Sequence, residues 1–90
     1  MADLRTLERQ LSALANRNRL RILQELKKKR HMTVSQVAQF LHISSSAASQ
    51  HLQMLADVGI IKRTKRGLFV LYRLALGGEK WVKAILQNLK

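Results

Sequence analysis

The stretch 33–59, TVSQVAQFLHISSSAASQHLQMLADVG, decides how this chain is read. Two helical patterns share it. Val34, Val37, Ala38 and Leu41 carry the first and Ala48, Leu52 and Leu55 the second, at helical spacing. Thr33 followed by Gln36 has the spacing of a capping box, so the first helix is expected to start there. Ser44 is placed to cap the second helix, and Gly59 stands where a helix stops. Between the two patterns His42 and Ile43 leave room only for a turn.

On the second helix Ser46, Ser49, Gln50 and Gln53 share the side away from the apolar residues, with Ser45 beside them at the first turn. None is charged, and each can donate and accept hydrogen bonds. A helix that enters the DNA major groove needs such a face. Small side chains let its backbone approach, and hydroxyls and amides pair with base edges. The competing reading is an ordinary solvated helix. Such faces usually carry Lys and Glu, and this one carries neither.

Charge is distributed around that helix rather than on it. The chain has 17 Lys and Arg against 5 Asp and Glu, a net charge of +12. That balance points to a polyanionic partner, most often nucleic acid. From His31 to Ile61 there is no Lys or Arg, and Asp57 is the sole carboxylate. Every cation therefore flanks a neutral centre, a division that suits phosphate contacts from the flanks and base contacts from the middle. Helical periodicity in the flanks argues against a disordered basic tail.

Outward from the centre, Leu4, Leu7, Leu11 and Leu14 form a narrow apolar stripe on an N-terminal helix spanning about 3–15, with Asp3 near its positive end. Asn16 or Asn18 is available to cap a second helix carrying Leu20, Ile22, Leu23 and Leu26. Lys27, Lys28, Lys29 and Arg30 close it, reading first as a solvated end that complements the helix dipole. Arg17, Arg19 and Arg21 read either as solvent-facing or as phosphate contacts. After Gly59 the period turns extended. The runs 60–64 and 68–74 are strand-like, with Lys65-Arg66-Gly67 as the expected hairpin tip. In the second run Val70, Tyr72 and Leu74 share a face. Past Gly77-Gly78, a last helix over about 78–89 carries Trp81, Val82, Ile85, Leu86 and Leu89. Its stripe and the N-terminal stripe are expected to pack across a two-fold axis.

Catalytic and metal chemistry have little to work with. The chain has no Cys, which rules out a disulfide or a thiolate metal site and fits a cytoplasmic location. His31, His42 and His51 lie apart from one another, whereas zinc sites use three or four ligands, so no metal and no cofactor are expected. Ser49 and His51 point in different directions on a helix, and no acid is placed to orient the histidine. There is no Gly-rich phosphate loop. No apolar run approaches the ~20 residues a membrane span requires. The N-terminal residues read as an amphipathic helix rather than a signal peptide.

Four segments in order carry a family resemblance. LANRNRLRIL at 14–23 resembles the LAdptRLrIL segment of the ArsR/SmtB repressors, and ISSSAASQHL at 43–52 resembles their reading segment, vSqpavSrHL. LADVGII at 55–61 is similar to LreaGLV, and RGLFVLYRL at 66–74 to the wing, rGrwvyYrL. The resemblance implies a mainly α, winged helix-turn-helix domain with a small β-hairpin, in the order α-α-α-α-β-β-α. It also implies a homodimeric repressor on double-stranded DNA with a palindromic operator. The DNA-facing set would be Ser44, Ser45, Ser46, Ser49, Gln50, His51 and Gln53 on the helix 44–58, with Lys62, Arg63, Lys65 and Arg66 on the wing 62–68. The dimer interface would comprise Leu4, Leu7, Leu11, Leu14, Trp81, Val82, Ile85, Leu86 and Leu89.

The departures are as specific. Many relatives sense metals through Cys residues near the helix that precedes the reading helix, where this chain has Arg30-His31-Met32-Thr33-Val34. Others use acids and histidines on the last helix, and residues 79–90 hold one carboxylate and no His. A basic residue usual at the wing tip is replaced by Leu68. A small-molecule effector leaves no motif. The alternative function is an architectural nucleic-acid-binding protein with little sequence preference.

Overall fold

A computed structural model of the chain describes residues 3–75 and 80–88, apart from the side chains of Trp81, Val82, Lys83 and Leu86. The order is α1 (Leu4–Leu14), α2 (Arg17–Lys29), β1 (His31–Met32), α3 (Val34–Leu41), α4 (Ser45–Asp57), β2 (Ile61–Arg66), β3 (Phe69–Leu74) and α5 (Lys80–Asn88). This is the expected helix-turn-helix and hairpin, with one strand more than the sequence reading gave.

The helix starts are set by side-chain caps. Asp3 accepts from the Thr6 amide at 2.8 Å and Asn16 from the Arg19 amide at 3.1 Å. At α3 both halves of the capping box form. The Thr33 amide donates to Gln36 Oε1 at 2.9 Å, and the Gln36 amide donates to Thr33 Oγ1 at 3.1 Å. Ser44 Oγ receives the Ala47 amide at 3.0 Å, fixing the first turn of α4.

The ends of α3 and α4 share a second device. At α3 the Ile43 amide reaches back to the Ala38 carbonyl at 3.0 Å, around His42 in the left-handed region with φ 57° and ψ 46°. At α4 the Ile60 amide reaches the Leu55 carbonyl at 3.1 Å, around Gly59 with φ 80°. Both are Schellman motifs, which close orphan carbonyls and reverse the chain. In the first, a histidine occupies the place glycine takes in the second.

The third strand, β1, is two residues long and pairs antiparallel with β3, His31 opposite Arg73 and Met32 opposite Tyr72. The sheet order is β1-β3-β2. Two residues show no periodicity, which is why the strand was not visible in sequence. Arg30, at φ 74°, turns the chain from α2 into it.

The hairpin tip also differs. Arg66 pairs with Phe69, so Lys65 and Arg66 belong to β2 and the two-residue turn is Gly67-Leu68. Gly67 has φ 60° and Leu68 has no positive φ, the pattern of a type II′ turn with glycine first.

Ile22, Leu23 and Leu26 of α2, Val37 and Leu41 of α3, Ala48, Leu52 and Leu55 of α4, and Ile61 and Tyr72 of the sheet make the core. The middle of α4 is thus anchored on its apolar side by every layer, which holds its other side outward. Leu14 also lies in this core, 6% exposed. It was expected at a dimer interface, but the last turn of α1 rotates it into its own chain.

Candidate nucleic-acid interface

α4 presents the uncharged face as expected. Ser44, Ser45, Ser46, Ser49, Gln50 and Gln53 are all exposed, while Ala48, Leu52 and Leu55 beneath them are fully buried. Two of the DNA-facing candidates have other engagements. Gln53 Nε2 donates to Asp57 Oδ1 at 2.7 Å, one helical turn on. A base contact from Gln53 would have to break that bond.

His51 is half-buried and lies beside Arg19, with Nδ1 3.3 Å from Arg19 Nη1. Burial, and then the neighbouring guanidinium charge, lower its pKa from the ordinary 6.5. The neutral ring accepts the guanidinium N–H at Nδ1 with its own proton on Nε2. This histidine is packed against the body of the domain rather than standing with the serines.

Arg19 is the residue that sequence reasoning missed. It is 8% exposed. Its Nε donates to the Ala13 carbonyl at 2.6 Å and its Nη2 to the Ser12 carbonyl at 3.4 Å. Its Nη1 reaches Met54 Sδ at 3.3 Å in addition to His51. One guanidinium thus caps the carbonyl end of α1 and holds α4 against it. Gln10 adds a second tie, donating from Nε2 to the Val58 carbonyl at 3.3 Å. A signal for Arg19 was present. Arg19, Ile22, Leu23 and Leu26 fall at i, i+3, i+4 and i+7, so the arginine lies on the apolar stripe of α2.

The hairpin carries Lys62, Arg63, Lys65 and Arg66, all exposed. Residues directly opposite one another in an antiparallel pair share a face. Arg63 sits opposite Tyr72 and Lys65 opposite Val70, on the core side of the sheet. Lys62 sits opposite Arg73 and Arg66 opposite Phe69, on the other side. The four cations therefore leave the arm in two directions. Arg21, which could be read as a phosphate contact, stacks over the Phe40 ring at 5.1 Å.

On α1, Leu4 is 84% and Leu11 47% exposed, with Leu7 half-buried between them. Together with Glu8, Ser12 and Ala15 they line an open groove of about 480 Å³. Ile85 of α5 is half-buried against its own chain's core. The side chains of Trp81, Val82 and Leu86, and Leu89 altogether, lie outside the described residues. Among the described residues no three His, Asp or Glu side chains gather as a metal site, and no helix is long and apolar enough to cross a membrane.

Residues 14–64 match the helix-turn-helix domain family. The transcriptional repressor PagR of Bacillus anthracis is 36% identical over 62 residues, spanning 69% of this chain and 62% of PagR. Its crystal structure superposes with a TM-score of 0.78 at 30% identity, covering 97% of this chain and 95% of that one. Reduced HlyU from Vibrio cholerae gives a TM-score of 0.77 at 33% identity over 93% of this chain and 84% of HlyU. The homodimeric winged helix-turn-helix DNA-binding domain of a possible ArsR-family regulator from Mycobacterium bovis gives 0.78 at 27% identity, covering 97% and 84%.

Proposed function

The chain belongs to the ArsR-type winged helix-turn-helix family of transcriptional regulators, and from that premise we propose that it acts as a homodimeric repressor of transcription. In this reading α4 enters the major groove of double-stranded DNA, and the wing formed by β2 and β3 lies on the adjacent groove or backbone. The observation that carries it is the exposed, uncharged face of Ser45, Ser46, Ser49 and Gln50, held between cationic segments. Hydroxyls and an amide at the start of a groove helix read base edges, and the flanking Lys and Arg neutralise phosphates.

Two relatives support the remaining parts. PagR is a repressor, and the Mycobacterium bovis domain is homodimeric. The exposed leucines of α1, Leu4 and Leu11, supply an apolar surface for a second copy. A two-fold dimer reads a palindrome with half-sites one helical turn, about 34 Å, or a multiple of it apart. The site of action is then the cytoplasm, where the DNA is.

The test is fluorescence anisotropy on duplexes from the region upstream of the chain's own gene and on scrambled controls, at two salt concentrations. A preference of about 10³-fold that persists at higher salt is the expected result. Ser49→Glu and Gln50→Glu should each abolish that preference without unfolding the domain. Equal binding to both duplexes, collapsing with salt, would replace the repressor with an architectural protein held by its charge.

A further inference from the structure

We propose that Leu68 and Phe69 form an apolar wedge, which the wing inserts into the minor groove beside α4 to open a base step. The inference rests on the DNA-binding reading above and adds to it a deformation of the duplex.

Leu68 is 98% exposed and Phe69 is 65% exposed. Single exposed apolar side chains are ordinary, but these two are adjacent and stand at the apex of an arm that otherwise displays cations. The turn that holds them is tight. Gly67 takes the positive φ, and Arg66 and Phe69 close the ladder behind it. A two-residue turn leaves Leu68 no freedom to fold back onto the domain. Turn positions favour Gly, Asn, Asp and Ser, so leucine here has no local conformational reason.

The flanking charges identify the occupant. Lys65 and Arg66 are exposed and sit opposite Val70 and Phe69, on opposite faces of the hairpin. A tip with apolar groups at its apex and one cation on each side matches a minor groove, with its apolar sugar walls and a phosphate strand along each rim. The groove is about 6 Å wide and paired strands are about 4.8 Å apart, so only the turn itself enters. The cations stop at the rims. Leu and Phe are among the side chains that minor-groove proteins insert between base pairs, kinking the duplex by about 20–90° towards the major groove. A bend of that sense would turn the flanking DNA towards the protein.

The experiment uses a duplex enriched by the full chain from a random-sequence pool. It carries a fluorescent base analogue in the minor-groove segment and a donor–acceptor pair at its ends. Wild-type protein should brighten the analogue through unstacking and shorten the end-to-end distance. Leu68→Ser, at a fully exposed position, should leave the melting curve unchanged, weaken binding about tenfold, and remove most of both signals. Leu68→Arg should restore affinity at low salt while leaving the analogue stacked and the duplex straight.

Binding with unchanged affinity and bend in Leu68→Ser would overturn the wedge and leave α4 reading DNA as proposed. A wild-type chain that enriches no duplex would overturn both. A shift of oligomeric state in Leu68→Ser, measured by sedimentation without DNA, would assign the tip to a contact between copies and overturn the wedge as well.

Discussion

Arg19 Nη1 lies 3.3 Å from His51 Nδ1, joining the apolar stripe of α2 to the edge of the helix that faces DNA. A protonated ring could not accept at that nitrogen and would set two cations against each other. The folded state therefore favours neutral His51, whose pKa burial and then the Arg19 charge push below 6.5.

The sign of the pH dependence follows. Below about pH 6.5 the unfolded chain takes up a proton that the folded chain resists, so unfolding is favoured as pH falls through the folded pKa. Stability from this group is complete above the unfolded value and is lost on acidification. Urea midpoints should drop between pH 7.5 and the acid side of this window, and His51→Gln should flatten the drop. An equal drop in His51→Gln would remove the Arg19–His51 contact as its cause. Asp3, held below 3.8 first by the Thr6 backbone hydrogen bond, responds in a lower window and does not overlap.

His42 gives a second prediction, which rests on its backbone conformation. A non-glycine residue in the left-handed region costs roughly 1–2 kcal/mol, part of which glycine returns as unfolded-state entropy. His42→Gly should raise stability by about 0.5–1 kcal/mol, and His42→Val should lower it by about 1–2 kcal/mol. Urea denaturation of the two variants measures both. A destabilised His42→Gly would mean that the imidazole contributes more than the backbone strain costs.

The wing cations are testable without knowing the operator. Each phosphate contact contributes about 0.9 to the slope of log affinity against log salt. Lys65→Ala with Arg66→Ala should lower that slope by about 1.8 for each bound protomer, about 3.6 for the dimer, and weaken binding on specific and random duplexes alike. An unchanged slope would take the wing off the phosphates.

The α1 surface predicts assembly. Leu4→Ser with Leu11→Ser changes two exposed side chains, so the protomer should keep its helix content. Dimer dissociation should become at least about tenfold easier, measured by sedimentation equilibrium. An unaltered dimer would move the two-fold axis away from α1.

Most of the architecture was legible in sequence because its punctuation is local. Thr33 with Gln36, Ser44 and Gly59 each do in the fold what their spacing implied. The exposed face of α4 was legible for the same reason, since helical periodicity assigns sides without tertiary information. What escaped depends on distant partners. β1 is defined only by β3. Arg19 reads as a surface cation until carbonyls from α1 are seen around it. The hairpin tip is Gly67-Leu68 rather than Lys65-Arg66-Gly67 because a glycine can open or close a turn, and only the Arg66–Phe69 pair decides which. Leu14 continues a leucine stripe in sequence, yet the packing of α2 against α1 takes it inside.

The sheet order β1-β3-β2 leaves β2 as an outer strand with one row of backbone amides and carbonyls unpaired within the sheet. Such a row is a template on which another chain can add a strand and begin to aggregate. Here it is lined by Lys62, Arg63, Lys65 and Arg66, whose mutual repulsion opposes a second copy in the same register. The residues assigned to phosphate contact therefore also protect solubility. Neutralising them would cost the chain its colloidal stability along with its grip on DNA.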